Sequence, residues 1–221
     1  MRAHSHAPTY DLGIFCQNFG AAGNGLDRSE MQSISPALLR GILAFLVIAF
    51  VTVGGYNMHN LARSGEPANP EWERSYWYQY YFHSERGRRG LERNRNELCE
   101  LLWRTWSPLW GGARQAFPAS APSLHNPDFV DVVIHSYRHR YGLADGDPRY
   151  QRFEDLIAQE PHITVPTVVL ESGDDGVGGP AATAGRDHFT GRYSQCVLPG
   201  IGHNVPQEDP DAFAQAVVTL L

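Results

Sequence analysis

The C-terminal quarter of the chain alternates between strand-like and helix-like patterns, and this order constrains the fold most strongly. Residues 165–171 form an apolar, β-branched run typical of a buried strand, and residues 193–198 form a second strand. Residues 180–189 between them have a helical composition, and a last helix begins at Asp209 and Pro210. Strands joined by helices pair in parallel through right-handed crossovers. The sequence therefore predicts an α/β fold with an open parallel sheet.

A continuous apolar run, residues 41–53, precedes this region and ends at Gly54 and Gly55. A membrane-spanning helix needs about 20 such residues, and this run is shorter. Its last part, residues 49–53, is β-branched and aromatic, which favours a buried parallel strand. The alternative is that residues 37–56 anchor the chain in a membrane.

Helical patterns dominate the long stretch between the first strand and the C-terminal strands. Helices are predicted from Pro70, over residues 90–106, over residues 127–141 with Asn126 as the cap, and over residues 152–159. We therefore divide the chain into an irregular N-terminal segment (1–36), a core strand region (37–57), a helical lid (58–160) and a C-terminal core with the acid and histidine loops (161–221).

Composition excludes several classes of protein. The net charge of −6 and the pI near 5.9 argue against a nucleic-acid-binding protein. The three cysteines have neither a disulfide pattern nor metal-ligand spacing, so we expect a reducing, cytoplasmic location. No signal-peptide pattern is present at the N-terminus.

Two chemically useful side chains follow the two C-terminal strands. Asp175 lies just after the first of them and His203 just after the second, in a Gly-x-Gly-His loop. The carboxyl ends of neighbouring parallel strands meet at one edge of a sheet, so both side chains should converge there. A carboxylate bonded to one ring nitrogen orients a histidine for proton transfer. An ordinary turn aspartate and a structural histidine are the simpler alternative.

These features resemble the α/β-hydrolase superfamily, in the branch that holds epoxide hydrolases, haloalkane dehalogenases and related esterases. The resemblance covers residues 51–221 and includes a strand with its Gly-Gly-Tyr-Asn turn (51–57) and an aromatic helix start (77–82). It also includes the Asn-Pro-Asp-Phe-Val segment (126–130) and the acid and histidine loops. The family pattern implies that Asp175, rather than Asp174, is the acid, because it directly precedes Gly-Val.

The family's nucleophile elbow is where the sequence departs from the pattern. No Ser, Asp or Cys has a glycine two residues away on both sides. One explanation, which we favour, is a truncated or frame-disrupted relative that lacks the N-terminal part with the elbow. The other is a divergent nucleophile, for which Ser29, Ser33 and Cys16 are the candidates.

The resemblance implies covalent nucleophilic hydrolysis of a small ester, epoxide or haloalkane, without a metal or organic cofactor. Asp175 would orient His203, and lid tyrosines, for which Tyr78 and Tyr137 are the candidates, would contact the substrate. The implied partner is a small-molecule substrate, with no nucleic acid and no membrane expected; the oligomeric state is open. Without a nucleophile, the acid and base could orient a water but turnover should be very low, so the alternative function is a non-catalytic remnant that serves as a binding module.

Overall fold

A computed structural model describes residues 49–178 and 182–220. The predicted N-terminal segment, most of the apolar run and the nucleophile candidates Ser29, Ser33 and Cys16 lie outside these residues.

Three parallel strands form the sheet of the described chain. They are β1 (Phe50–Val53), β2 (Thr167–Ser172) and β3 (Tyr193–Leu198), in the order β1-β2-β3. Val51 pairs with Val168, and Val168 pairs with Ser194. This arrangement confirms the predicted partial α/β sheet. The central strand β2 is buried from Thr167 to Leu170, as expected for a parallel strand covered on both faces.

Nine α-helices complete the described part of the chain, and seven of them lie between β1 and β2. These seven are α1 (Pro70–Ser75), α2 (Trp77–Tyr81), α3 (Glu85–Arg93), α4 (Arg95–Trp106), α5 (Ala113–Ser120), α6 (Phe129–Arg140) and α7 (Gln151–Ile157). We refer to residues 58–160 as the helical segment. The helices after β3 are α8 (Val205–Glu208) and α9 (Pro210–Val218), and short 3-10 helices occupy Leu61–Arg63, Ala121–His125, Pro148–Tyr150 and Ala182–His188.

Local sequence signals explain where several of these helices begin and end. The Asn69 side chain accepts the Trp72 N–H at the start of α1, and Asp209 does the same for Ala212 at the start of α9. Gly142 adopts a φ of 69° after α6, the left-handed conformation that terminates a helix.

Two helices differ from the prediction. The single helix predicted over residues 90–106 is in fact two, α3 and α4, because Asn94 leaves the helical conformation with a ψ of 39°. Helix α6 begins at Phe129 rather than at the predicted Pro127, because the Asn126 side chain accepts the Asp128 N–H in a turn before the helix.

Apolar residues pack in separate clusters in the helical segment and on the sheet. The helical segment has its own large cluster, centred on Tyr78, Trp103 and Tyr137. Helix α9 covers one face of the sheet through Ala216, and Phe189 packs on Val169 at the other face. Among the described residues, no helix combines the length and apolarity needed to cross a membrane.

Candidate functional site

Asp175 and His203 lie together at the carboxyl ends of β2 and β3. The Nδ1 atom of His203 is 2.7 Å from Oδ2 of Asp175. The other carboxylate oxygen, Oδ1, accepts the backbone N–H of Val177 at 2.8 Å. The His203 side chain is 14% exposed and the Asp175 side chain is 30% exposed, so the pair is partly shielded yet reachable from solvent. The structure therefore brings together the two residues that the sequence singled out.

The neighbouring Asp174 has a different role. Its Oδ2 accepts the backbone N–H of Gly200 at 2.7 Å, and its own N–H donates to the carbonyl of Ile201 at 3.0 Å. Asp174 thus joins the acid loop to the histidine loop through the backbone, and Asp175 is the carboxylate that contacts the imidazole.

The end of helix α4 holds both loops in place. The carbonyl oxygen of Trp106 accepts the N–H of Gly176 at 2.9 Å and the N–H of His203 at 3.2 Å. The last carbonyls of a helix have no partner within it, so two donors from the loops satisfy this one. The partial negative charge at a helix C-terminus also favours a nearby cation by about 0.3–1 kcal/mol. The Trp106 ring lies 5.7 Å from the His203 ring, centroid to centroid.

Two glycines allow this close approach. A Cβ atom on Gly176 would lie 1.9 Å from the carbonyl oxygen of Thr105, and one on Gly202 would lie 2.5 Å from the Cα of Ser107. Real atoms do not approach so closely, so only glycine fits at these two positions without a shift of the backbone.

Glu208 and Ser107 form a second set of contacts around the histidine. The Glu208 carboxylate accepts the N–H groups of Gly202 and Asn204, both at 2.9 Å. The Ser107 hydroxyl donates to the same carboxylate at 2.6 Å and accepts from the Asn204 side-chain amide at 2.9 Å. Asn204 and Ser107 are buried.

The tyrosines chosen from the sequence lie in the core of the helical segment. Tyr78 is fully buried, Tyr137 is 4% exposed, and their ring centroids are 5.7 Å apart. Tyr78 also packs against Trp106, with ring centroids 5.3 Å apart, so one aromatic ring separates it from His203. Their assignment as substrate contacts stays a prediction.

A buried polar chain continues behind Tyr78. The Tyr141 hydroxyl donates to Oε1 of Gln79 at 2.8 Å, and the Gln79 amide donates to the Tyr78 hydroxyl at 3.2 Å. Burial raises the pKa of Tyr141 to about 12, because the phenolate would lose its hydration. Burial likewise lowers the pKa of His83, whose ring is 4.7 Å from that of Tyr141.

Sequence reasoning missed Trp106, Ser107 and Glu208 as parts of this site. The capping-box spacing did not indicate Glu208, because it calls for an acid or amide three residues after the cap, and that position after Asn204 is Gln207. Nothing in the sequence pointed to Trp106 or Ser107, because their contacts are with loops that are distant in the chain. No group of three or more His, Cys, Asp or Glu residues that could hold a metal occurs within the described ranges.

Comparison with solved structures identifies the class of this fold. The chain matches the crystal structure of a "putative epoxide hydrolase" from Klebsiella pneumoniae, with 41% sequence identity and a TM-score of 0.75. The match covers 77% of this chain and 57% of that one, so the chain spans less than two thirds of that structure's length. No family model and no curated protein matches the sequence.

A second solved structure shares the fold alone. It is a "putative acyltransferase" from Salmonella enterica, with 15% identity and a TM-score of 0.58, over 96% of this chain and 73% of that one. The match to the Klebsiella structure confirms the predicted resemblance to an epoxide-hydrolase-like relative and the partial α/β fold.

Proposed function

We propose that the protein hydrolyses a small epoxide, ester or haloalkane, with Asp175 and His203 as its acid and base. The observation that supports this proposal is the 2.7 Å contact between His203 Nδ1 and Asp175 Oδ2 at the ends of adjacent parallel strands. The name of the Klebsiella structure makes an epoxide the first substrate to test.

In the proposed reaction, Asp175 accepts the Nδ1–H of His203 and thereby sets the tautomer of the ring. Nε2 then takes a proton from water, and the hydroxide attacks the covalent ester formed between substrate and nucleophile. With an ester substrate and a Ser or Cys nucleophile, the substrate's alcohol has left when the covalent ester formed, and the attack breaks the acyl–enzyme bond, releases the carboxylic acid and returns the His203 proton to the nucleophile. With an epoxide or haloalkane, only a carboxylate nucleophile forms an ester that this step can cleave, and the attack then releases the diol or alcohol and regenerates the carboxylate. The Asp175 carboxylate and the C-terminal end of helix α4 both stabilise the imidazolium that forms.

A lid role for the helical segment is supported by its insertion between β1 and β2 and by its contacts with both loops through Trp106 and Ser107. We propose that it covers the substrate and that Tyr78 and Tyr137 support the aromatic surface near His203. The nucleophile remains unassigned, with Ser29, Ser33 and Cys16 as the sequence candidates. We also propose a cytoplasmic location and a small-molecule substrate.

Turnover by single-residue variants tests the proposal. Hydrolysis of styrene oxide and of p-nitrophenyl acetate would be followed for the wild-type chain and for His203→Ala, Asp175→Asn and His135→Ala. His135 is an exposed histidine of helix α6 and serves as the matched control. We expect about 10²–10⁴-fold losses in kcat for the first two variants and none for the control, because general acid–base catalysis contributes about that factor.

Two results would contradict the proposal. Turnover unchanged by His203→Ala would show that the pair takes no part in catalysis. Saturable binding of styrene oxide without any turnover would favour the non-catalytic binding module instead.

A further inference from the structure

The Glu208 carboxylate binds the backbone on both sides of His203. Its Oε2 accepts the Gly202 N–H at 2.9 Å, and its Oε1 accepts the Asn204 N–H at 2.9 Å. His203, whose ring would carry the proton, therefore lies between two residues whose backbone N–H groups both donate to the Glu208 carboxylate.

Helix capping alone does not account for these contacts. A glutamate near the start of a helix commonly accepts the N–H of the capping residue, here Asn204. Capping requires neither the contact with Gly202, which precedes the helix, nor the 2.6 Å hydrogen bond from Ser107 in the helical segment. The three donors come from both sides of the histidine and from a residue 101 positions away in the chain.

The three groups that contact the Glu208 carboxylate are all donors. Two N–H groups and one O–H group all donate to Glu208. A carboxylate offers only acceptors, whereas an amide of the same shape places an NH₂ group against at least one of these donors. The hydroxyl of Ser107 is also constrained, since it accepts from the buried Asn204 amide while it donates to Glu208.

We propose that Glu208 is a positioning residue for His203 and that Ser107 couples this role to the helical segment. The imidazole contacts Asp175 through Nδ1, and that contact requires the 202–204 backbone to stay in place. Glu208 fixes this backbone from one side, and the Trp106 carbonyl fixes it from the other. The catalytic meaning of the role rests on the proposed function of His203, but the positioning itself does not.

The test uses the full-length chain labelled with ¹⁵N-histidine, so that ring ¹H–¹⁵N correlations report each tautomer. His203→Ala assigns the His203 signals. In Glu208→Gln we expect loss or a large shift of the His203 Nδ1–H signal and a fall in kcat of about 10²-fold at little-changed KM, because small misplacements of reacting groups cost about that factor. Glu208→Asp retains the carboxylate and should restore part of the His203 Nδ1–H signal and part of kcat. Ser107→Ala removes one donor and should give a smaller change.

Glu154→Gln is the matched control. Glu154 lies 3.8 Å from His139, a histidine of the helical segment, so this variant should leave the His203 signals and turnover unchanged. A wild-type His203 spectrum in both Glu208→Gln and Ser107→Ala would overturn the inference; if Glu208→Gln does not fold, Ser107→Ala and Glu208→Asp decide. If His203→Ala leaves turnover unchanged while Glu208→Gln still shifts the His203 signals, the proposed function fails and the positioning role stands.

Discussion

The Trp106 carbonyl oxygen accepts the backbone N–H of His203 at 3.2 Å, although the two residues are far apart in the chain. The same oxygen accepts the N–H of Gly176, the residue after Asp175. One carbonyl at the end of helix α4 therefore holds the acid loop and the histidine loop together. Any displacement of the helical segment should therefore change the geometry of the Asp175–His203 pair.

Gly176→Ala should destabilise the protein by forcing this junction apart. The added Cβ would lie 1.9 Å from the backbone oxygen of Thr105, which cannot move as a side chain could. We expect a loss of about 1–3 kcal/mol in the free energy of unfolding, the usual cost of overpacking, measured by urea denaturation. Gly111→Ala is the control, because nothing lies within 4 Å of its Cβ position, and it should change stability by less than about 0.5 kcal/mol. Equal stability of the two variants would argue against the close contact.

Tyr141→Phe should also reduce stability. It removes the hydroxyl that donates to the Gln79 side chain, and the oxygen of this buried glutamine would lose that partner. An unsatisfied buried acceptor costs about 1–3 kcal/mol. Tyr80→Phe removes a hydroxyl that bonds Glu73 at an exposed site, and thermal or urea unfolding should show a much smaller change. A larger effect of Tyr80→Phe would contradict the buried chain of hydrogen bonds.

His83 should make the protein sensitive to mild acid. Burial lowers the pKa of His83 below 6.5, so the folded state binds its proton less tightly than the unfolded state does. The resulting stability is present above pH 6.5 and is lost as the pH falls through the folded-state pKa. In His83→Gln, which does not titrate, the urea midpoint should fall less between pH 7 and pH 5 than in the wild type. The exposed control His135→Gln should retain the wild-type pH dependence, and the same dependence in all three would contradict burial as the cause.

Local patterns in the sequence predicted the parallel strands and the meeting of Asp175 with His203. Strand β3 has the predicted bounds, and β2 begins two residues later than predicted. The strands were predictable because their residue patterns depend on short stretches of chain. The choice of Asp175 over Asp174 came from the family resemblance, and the geometry distinguishes the two carboxylates.

The contacts around the pair were not predictable in the same way. Trp106 acts through a backbone carbonyl, which every residue has, so its side chain gave no indication of the contact. The break at Asn94 and the late start of α6 depend on how single asparagines bond locally, which competes closely with helix formation.

The most direct measurement of the central claim is the tautomer of His203, read from ring ¹⁵N shifts in the wild type, Asp175→Asn and Asp174→Asn. In Asp175→Asn, the side-chain oxygen should stay with the Val177 N–H, and the new NH₂ group should then face Nδ1 and force the proton to Nε2. In Asp174→Asn, the oxygen can still accept the Gly200 N–H, so His203 should keep its proton on Nδ1. A His203 tautomer that is the same in all three proteins would contradict the assignment of Asp175 and His203 as a catalytic pair.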